Sequence, residues 1–520
     1  MTRSADAVTP GPVRDAAEGA RRVGRGILSI ATSKVYFLLI GYAAQLFLPR
    51  LLGSPEAFGL MSAALSFVFI LNNVLVNATI QVVSKRVSEN PSDAAVTLRQ
   101  GLILQAIVGG SIAALLFFGA PLLATDVLLD PLLTPLFRWA ALIVLSYALY
   151  AAMIGALNGR QDFRGQARFD MGYTTLRTAL MLSAAGLGFG ALGVFAGFAL
   201  SSLLVLCLAA IFVGIGKPSG PMPWRSWLAW LGPLFLYQLC LNLILQIDVT
   251  LLKRTVAELS QSQGAALAAE TASRYVGFYR AAQTFAFVPY QLVLSVSFVI
   301  FPMVSEALGL GDEVAARGYI RGALRFSMLV LFAVAAPFAG GAASVMRLVY
   351  PAAYVAGAPA LAVLVIAMVL FTLFVIAGSI VSGAGRPGLA ASIALASVAV
   401  VLIGNIVLVH WAGVGAHTLL AAASGTAIGI ALALIAIAVV VYARFGAFIA
   451  PSSALRATLA AAAAFAITRA IQTENRLLSL LVIALGALTY GVALVLMREL
   501  TRKDLDAALA VVRRRRKPAA

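Results

Sequence analysis

Long apolar runs separated by short polar segments dominate the chain. Many of these runs reach about 18 residues or more, the length that an α-helix needs to cross a membrane. Hydropathy along the 520 residues predicts fourteen such helices. Their approximate limits are 27–49, 58–83, 101–123, 134–157, 171–189, 191–214, 228–252, 275–301, 322–346, 355–382, 388–410, 415–442, 453–471 and 477–497. We therefore predict an all-α polytopic membrane protein, with basic tails at 1–26 and 498–520, of which the first is expected to be disordered.

Three predicted helices carry polar positions that recur about every four residues on an otherwise apolar surface. Residues four apart lie on one side of an α-helix, so each set forms a polar stripe. Such a stripe either lines a hollow or bonds one helix to another, and the spacing alone leaves both open. The amide stripes are Asn73, Asn77 and Gln81 in the second helix and Gln238, Asn242 and Gln246 in the seventh. In the first helix the polar residues Lys34 and Gln45 share a face with Leu38 and Gly41.

Composition and charge agree with this class. The chain is 62% hydrophobic and 11% charged, whereas a soluble domain carries about 25% charged residues. Basic residues concentrate in every second predicted loop, which places those loops and both termini in the cytoplasm. The net charge of +18 is therefore a topology signal and an attraction to anionic lipids, not a nucleic-acid site. Examples are Lys85, Arg86 and Arg99 after the second helix, and Arg160, Arg164 and Arg168 after the fourth.

An internal repeat divides the chain into two similar halves. When the second half is aligned on the first, Gly59 falls on Gly277 and Phe67 on Phe285, and "IGALNGR" at 154–160 later meets "IVSGAGR" at 380–386. Six helices thus repeat as six, and because six is even both copies have the same orientation in the membrane. We predict two pseudo-symmetric six-helix lobes, 27–214 and 228–442, around a central cavity. The first, second, seventh and eighth helices would line the cavity, and two extra helices at 453–497 would stand outside the lobes.

Several motifs resemble the polysaccharide transporter branch of the multidrug/oligosaccharidyl-lipid/polysaccharide (MOP) flippase superfamily. They are "LPRLLGSPEAFGLMSAALSF", "QIDVTLLKR", "VGFYRAAQTFAFVP", "FPMVSEAL" and "SGAGRP". The resemblance implies a flippase that moves undecaprenyl-diphosphate-linked oligosaccharides across the bacterial inner membrane by alternating access. Flippases for the peptidoglycan lipid precursor typically carry Arg and Glu just before the proline of the eighth helix. Here "TFAFVP", ending at Pro289, has neither charge, so a capsule, exopolysaccharide or O-antigen unit is the favoured cargo.

Ionisable residues inside the predicted helices are candidates for function, because a charge in a membrane is costly without water, a partner or a ligand. Most are cations, which suits a diphosphate, and arginine can hold phosphate oxygens in a bidentate manner. Arg280 is the principal candidate, since its repeat counterpart is the neutral Ser62. The other expected substrate-binding residues are Lys34, Arg177, Arg50, Asn73, Asn77, Gln45, Gln238, Asn242 and Gln246. The cations Arg50, Lys34 and Arg177 could instead extend to headgroups or serve the structure.

Asp248 is the deep acidic residue of the predicted helices. It could carry a proton or a sodium ion as a coupling ion, or form an ion pair with Lys253, Arg254 or Arg280. A cation-coupled drug exporter of the same superfamily is therefore an alternative, as is a peptidoglycan lipid precursor flippase.

No acidic pair, zinc-ligand spacing or P-loop indicates an enzyme, and we expect no cofactor and no metal. The expected partners are a lipid-linked anionic glycan and membrane lipids, with the protein as a monomer. Cys207 and Cys240 are expected to be small core residues without a disulfide.

Overall fold

A computed structural model describes residues 35–218, 220 and 222–500 of the chain, without the side chains of 294–299, 301 and 302. Within these ranges there are fourteen helices of 17 residues or more, one for each predicted span. They are α1 (Val35–Leu51), α2 (Pro55–Glu89), α3 (Ala94–Phe118), α4 (Leu133–Gly159), α5 (Phe163–Gly186), α6 (Gly190–Val213), α7 (Trp224–Leu259), α8 (Ala265–Gly309), α9 (Glu313–Gly340), α10 (Ala358–Gly383), α11 (Pro387–Ala412), α12 (Thr418–Phe445), α13 (Pro451–Ala470) and α14 (Arg476–Leu496).

Ten helices in the described ranges are long and apolar enough to cross a membrane, judged by length and composition. The predicted fold class, an all-α polytopic membrane protein, is confirmed. The predicted tails lie outside the described residues, except for 498–500. Both cysteines are free, as expected, but only Cys240 is buried. The expectation that Cys207 is a core residue is wrong, because its position on α6 faces outward.

Local sequence signals explain where several helices begin. Asp162 precedes α5, and its carboxylate accepts a hydrogen bond from the backbone N–H of Gly165 at 2.9 Å. Asp312 does the same for α9 through Ala315, also at 2.9 Å. Such caps satisfy backbone donors that the first turn of a helix leaves without partners. Helix starts in this chain therefore depend on residues that hydropathy does not detect.

The loop between α7 and α8 is much shorter than the sequence predicted. The predicted limits of the seventh and eighth helices, 228–252 and 275–301, leave residues 253–274 as a loop, but α7 continues to Leu259 and α8 begins at Ala265. The reason is that the segment "AALAAETASRY" is rich in alanine, which has the highest helix propensity, although it is not apolar enough for a membrane span. As a result α8 has 45 residues, and it presents Arg274 and Arg280 on one continuous helix.

The chain forms two compact units. Of the described residues, the first contains 35–44, Asn72–Phe118 and Phe137–Gly232, and the second contains Gln45–Leu71, Gly119–Leu136 and 233–500. The second unit thus includes the C-terminal end of α1, the first half of α2 and the segment that joins α3 to α4. The boundaries of the two six-helix lobes stay a prediction.

Within the second unit, the repeated segments of α2 and α8 meet through equivalent residues. A Cβ atom on Gly59 would lie 1.7 Å from the carbonyl oxygen of Ser273, and one on Gly277 would lie 2.2 Å from that of Pro55. In the alignment of the two halves Pro55 corresponds to Ser273 and Gly59 to Gly277. The contact of Gly59 with Ser273 is therefore equivalent to the contact of Gly277 with Pro55. Reciprocal contacts of this kind arise when two copies are related by a two-fold axis. Equivalent residues of the repeated segments thus meet each other in the fold, and the parallel six-helix repeat stays a prediction.

Helices α13 and α14 pack against each other and against α9. At the contact, a Cβ on Gly340 of α9 would lie 2.3 Å from the carbonyl oxygen of Phe465, and one on Gly486 would lie 2.4 Å from Cγ2 of Thr468. Small residues allow this close approach of helices in a membrane. Arg469 and Arg476, at the adjacent ends of the two helices, are exposed. These contacts agree with a pair of helices added to the repeat.

Candidate functional site

Arg280 of α8 is buried in the second unit, with 6% of its surface exposed. Its Nη1 donates to Oε1 of Gln246 on α7 at 3.1 Å and to Oε1 of Gln283 at 3.0 Å. Its guanidinium carbon lies 5.2 Å from the ring centroid of Phe69 on α2. Gln283 follows Arg280 by three residues, which places both on one face of α8. Amide oxygens and an aromatic face thus surround the cation, and both kinds of group stabilise a guanidinium.

Asp248 of α7 is 1% exposed. It belongs with Arg280, Gln246 and Gln283 to one buried hydrogen-bonded cluster. One carboxylate oxygen accepts from the hydroxyl of Tyr279 at 2.7 Å and from that of Thr426 at 3.2 Å. Nε2 of Gln283 donates to both oxygens at 3.1 Å, and the backbone N–H of Val249 donates at 2.8 Å. Among the described residues, every hydrogen-bond donor to Asp248 is therefore a neutral group.

The alternative that Asp248 forms an ion pair with Lys253, Arg254 or Arg280 is not realised among the described residues. Lys253 instead binds Asp130, with Nζ 2.7 Å from the carboxylate and the two side chains 0% and 2% exposed. Arg254 binds Glu258, one turn further along α7, at 2.8 Å. Arg280 is connected to Asp248 through the amide of Gln283. The geometric reason is that α7 carries Lys253 and Arg254 more than one turn beyond Asp248, next to other acidic residues.

The hydrogen bonds of the cluster extend from Asp248 through Thr426 of α12 to α11. Nδ2 of Asn405 on α11 donates to the hydroxyl of Thr426 on α12 at 3.1 Å. Oδ1 of Asn405 is buried and has no hydrogen-bond partner in the described part of the chain. Carboxylate, hydroxyl and amide oxygens are the groups that hard cations bind. A proton on Asp248 or a small cation beside it is chemically compatible with this arrangement, whereas the described residues contain no group of three or more His, Cys, Asp or Glu that could hold a metal.

One residue of the polar stripe of α7, Gln246, contributes to this cluster. Gln246 is 6% and Asn242 7% exposed, and Nδ2 of Asn242 donates to the backbone carbonyl of Gln238 at 2.9 Å. The stripe of α2 differs, because Asn73 and Asn77 are exposed in the first unit. Binding of sugar hydroxyls by these amides stays a prediction.

Arg177 and Arg50 have contacts of their own, each within its unit. Arg177 of α5 is in the first unit, where its guanidinium lies 5.5 Å from each of the ring centroids of Phe37, Tyr173 and Phe198. Arg50 donates to the carbonyl of Val349, the last residue of a short helix at Ala342–Val349.

Two further predicted binding residues, Gln45 and Lys34, belong to the first predicted helix. The backbone carbonyl of Gln45 accepts from the hydroxyl of Tyr350 at 3.3 Å, and its side-chain oxygen is buried without a hydrogen-bond partner in the described ranges. Lys34 lies outside the described residues.

Four residues of the cluster were not predicted from the sequence: Gln283, Tyr279, Thr426 and Asn405. A signal existed for Gln283, which is a polar residue one turn from Arg280 in an apolar run. The four-residue spacing that defines the amide stripes does not include Gln283, because this amide follows the arginine by three. Thr426 and Asn405 gave no such signal, because single polar residues in membrane helices commonly serve helix packing.

Comparisons with known proteins agree with the sequence motifs. A family model described as "Polysaccharide biosynthesis protein" matches residues 23–308. Among solved structures, the lipid II flippase MurJ in an inward closed conformation aligns with a TM-score of 0.73 at 14% identity, covering 91% of this chain and 99% of that one. No significant match was found among curated protein sequences.

Two further solved structures share the fold. An inward-facing multidrug resistance MATE family transporter of the MOP superfamily aligns with a TM-score of 0.62 at 17% identity, covering 81% of this chain and 98% of that one. A MOP superfamily transporter from Pyrococcus furiosus aligns with a TM-score of 0.57 at 17% identity, covering 80% and 95%. At these identities the likeness concerns the fold alone.

Proposed function

The chain belongs to the polysaccharide biosynthesis protein family, and from this we propose that it is a flippase for undecaprenyl-diphosphate-linked oligosaccharides of the bacterial inner membrane. Its family and fold are those of a membrane transporter, not of an enzyme. In this proposal both termini are cytoplasmic, and the cargo crosses by alternating access. The cargo is a capsule, exopolysaccharide or O-antigen unit.

The burial of Arg280 carries the proposal. It lies inside the segment that the family model matches, and the equivalent position of the first repeat is Ser62. The repeated scaffold therefore does not need a charge there, although burying an arginine in a membrane costs several kcal/mol. A role in binding an anionic ligand gives a reason for the arginine at this position. A diphosphate suits it, because the planar guanidinium matches phosphate oxygens.

Asp248 is the proposed coupling site. Its donors in the described residues are neutral, so a proton or a sodium ion would meet no competing cation at the carboxylate. Neutralising a buried carboxylate is favourable, because removing a charge from water is costly. Proton or sodium coupling would then supply the energy that moves the cargo.

Two other functions use the same fold. A peptidoglycan lipid precursor flippase is supported by the likeness to the lipid II flippase MurJ, and is disfavoured by the uncharged "TFAFVP" segment. A cation-coupled drug exporter is supported by the MATE family likeness. It is disfavoured because Arg280, a cation, lies at the centre of the cluster.

Substitution of Arg280 tests the proposal. Export of lipid-linked oligosaccharide is expected to be lost in Arg280→Ala and partly restored in Arg280→Lys, since lysine keeps the charge but lacks the bidentate fork. Arg138→Ala is the matched control, because Arg138 is exposed on α4 and its loss should leave export intact. Full export by Arg280→Ala at normal protein level would show that the arginine does not bind the cargo.

Reconstituted vesicles separate the three cargo classes. We expect the purified protein to translocate an undecaprenyl-diphosphate oligosaccharide, and neither the peptidoglycan precursor nor a cationic drug. Translocation of the peptidoglycan precursor alone, or of the drug alone, would replace the proposed cargo by that class.

A further inference from the structure

Gln283 lies between the two charged side chains of the cluster. We propose that it is a positioning residue. The strength of its hydrogen bond with Arg280 depends on the negative charge of Asp248, and this dependence links binding of the coupling ion to binding of phosphate. The inference rests on the function proposed above. Its side chain is 1% exposed, so water does not compete for the amide.

Gln283 has hydrogen bonds to both charged groups. Its Oε1 accepts from Arg280 at 3.0 Å and its Nε2 donates to the two oxygens of Asp248 at 3.1 Å. Tyr279 and Thr426 bind Asp248, and Gln246 binds Arg280. The amide of Gln283 thus forms a direct hydrogen-bonded connection between the two sites.

The two ends of one amide cannot be oriented independently, because its nitrogen only donates and its oxygen only accepts. While Asp248 is charged it holds Nε2 strongly, since a hydrogen bond to an ionised acceptor is stronger than a neutral one. This fixes Oε1 towards Arg280. When a proton or cation removes the charge, the hold on Nε2 weakens and the amide can turn away. A phosphate then competes with one fewer acceptor for the guanidinium.

The first repeat lacks this connection. In the alignment of the two halves, Arg280 corresponds to Ser62 and Gln283 to Leu65. Leu65 is buried at 1% exposure, so the equivalent position on α2 accepts a leucine in a packed interior. The amide is therefore not required by the repeated scaffold, and Gln283→Leu is a suitable test variant.

A double-mutant cycle on the purified full-length protein tests the inference, with undecaprenyl diphosphate as the probe in a binding measurement at one pH. Asp248→Asn removes the charge and keeps the shape of the side chain. We expect it to tighten binding by about fivefold or more when Gln283 is present. In the Gln283→Leu background the same change should alter binding by less than about twofold, the limit of ordinary additivity.

Gln246→Leu is the matched control, because it removes the other glutamine acceptor of Arg280 and leaves the link to Asp248. Gln246→Leu by itself should change the affinity for undecaprenyl diphosphate. In this background the effect of Asp248→Asn on that affinity should persist at full size. If Gln283→Leu does not fold, Gln283→Met replaces it in the cycle with an unbranched side chain of similar length.

An undiminished effect of Asp248→Asn in both Gln283 variants would overturn the inference, since the charge would then act on Arg280 directly through space. Loss of the effect in Gln246→Leu as well would also overturn it, because the coupling would not be specific to Gln283. If the unaltered protein does not bind undecaprenyl diphosphate, the proposed function fails and the inference fails with it. Binding by the unaltered protein without coupling through Gln283 contradicts the inference alone.

Discussion

At the scale of single residues, Lys253 and Arg254 are sequence neighbours with opposite environments. Lys253 is 0% exposed and donates to Asp130, to the carbonyl of Ala269 and to the hydroxyl of Ser273, at 2.7, 2.7 and 2.5 Å. Arg254 is 42% exposed beside Glu258. A buried pair depends on both partners, whereas an exposed pair contributes little. The two residues therefore provide a controlled test of what burial does to an ion pair.

Lys253→Met should destabilise the protein by about 3–5 kcal/mol, because it leaves the carboxylate of Asp130 buried without its partner. Arg254→Met should cost about 1 kcal/mol or less. Thermal unfolding of the purified protein in detergent measures both. Adding Asp130→Asn to Lys253→Met should restore part of the loss, and equal losses from the two single variants would contradict the assignment.

At the scale of secondary-structure elements, the α2–α8 crossing depends on two glycines. Gly59 and Gly277 are equivalent in the repeat, and each backbone approaches the other helix too closely for a Cβ atom. Glu56 and Arg274, which are equivalent in the same alignment, form an ion pair at this crossing. The crossing therefore combines close backbone contact with one pair of opposite charges.

Gly277→Ala should destabilise the protein by about 1–3 kcal/mol or more, because the added methyl group meets the backbone of Pro55, which cannot move without shifting α2. Gly172→Ala on α5 is the matched control, since nothing lies within 4 Å of its Cβ position. It should be neutral or stabilising by up to about 1 kcal/mol, as expected for a helix interior. The midpoints of thermal unfolding compare the two, and a harmless Gly277→Ala would show that the helices can separate at no cost.

Beyond the end of α14, Glu499 connects three helices. It is 4% exposed, and its carboxylate accepts from Arg325 of α9 at 2.8 Å and from Ser453 of α13. Burial acts to raise the pKa of this carboxyl, but the hydrogen bonds from Ser453 and Arg325 and the charges of Arg325 and Arg456 outweigh it, so the pKa lies below the ordinary 4.5. Because the pKa of Glu499 is lower in the folded state, its charge stabilises the protein fully at pH values above the unfolded-state pKa. This contribution is lost as the pH falls through the folded-state pKa.

Glu499→Gln should therefore lower stability by about 1–2 kcal/mol at neutral pH, allowing for the partly exposed arginines. The difference from the unaltered protein should shrink below the ordinary pKa of 4.5 and vanish at lower pH. Unfolding midpoints across this range measure it. Glu474→Gln is the control, because Glu474 is 92% exposed and 3.9 Å from Arg347. A difference that did not depend on pH would contradict the role of the charge.

At the scale of the whole molecule, the distribution of basic loops predicts the topology. The loop after α2 should be cytoplasmic and the loop between α7 and α8 external, because positive charge is retained on the cytoplasmic side. Ser88, in the last turn of α2, and Gln261, between α7 and α8, report on these two sides, and both are exposed. They offer one reporter position on each side of the membrane.

In a background with Cys207→Ser and Cys240→Ala, a membrane-impermeant maleimide added to spheroplasts should label Gln261→Cys and not Ser88→Cys. Lysis should make Ser88→Cys reactive. The opposite pattern would reverse the predicted orientation and place the termini outside.

The candidate site was predictable in part. Arg280, Asp248, Gln246 and Asn242 follow from the rule that polar residues in membrane helices need partners or a function. Their arrangement did not follow, because Gln283 reaches Asp248 across 35 positions of sequence. The acidic partner of Lys253 could not be predicted from the sequence either, since Asp130 lies 123 positions away. Which partner a buried charge finds depends on how helices cross, and hydropathy contains no such information.

The sequence by itself determined the number of helices, their class and the repeat. These properties are local or periodic, since a bilayer imposes a fixed length of apolar helix and a duplication leaves equivalent residues in the same order along both halves. Only the tertiary structure decided that the equivalent glycines Gly59 and Gly277 meet, and that Asp248 is held by neutral donors. Both depend on distances between helices, which small residues and single hydrogen bonds set once the helices are packed.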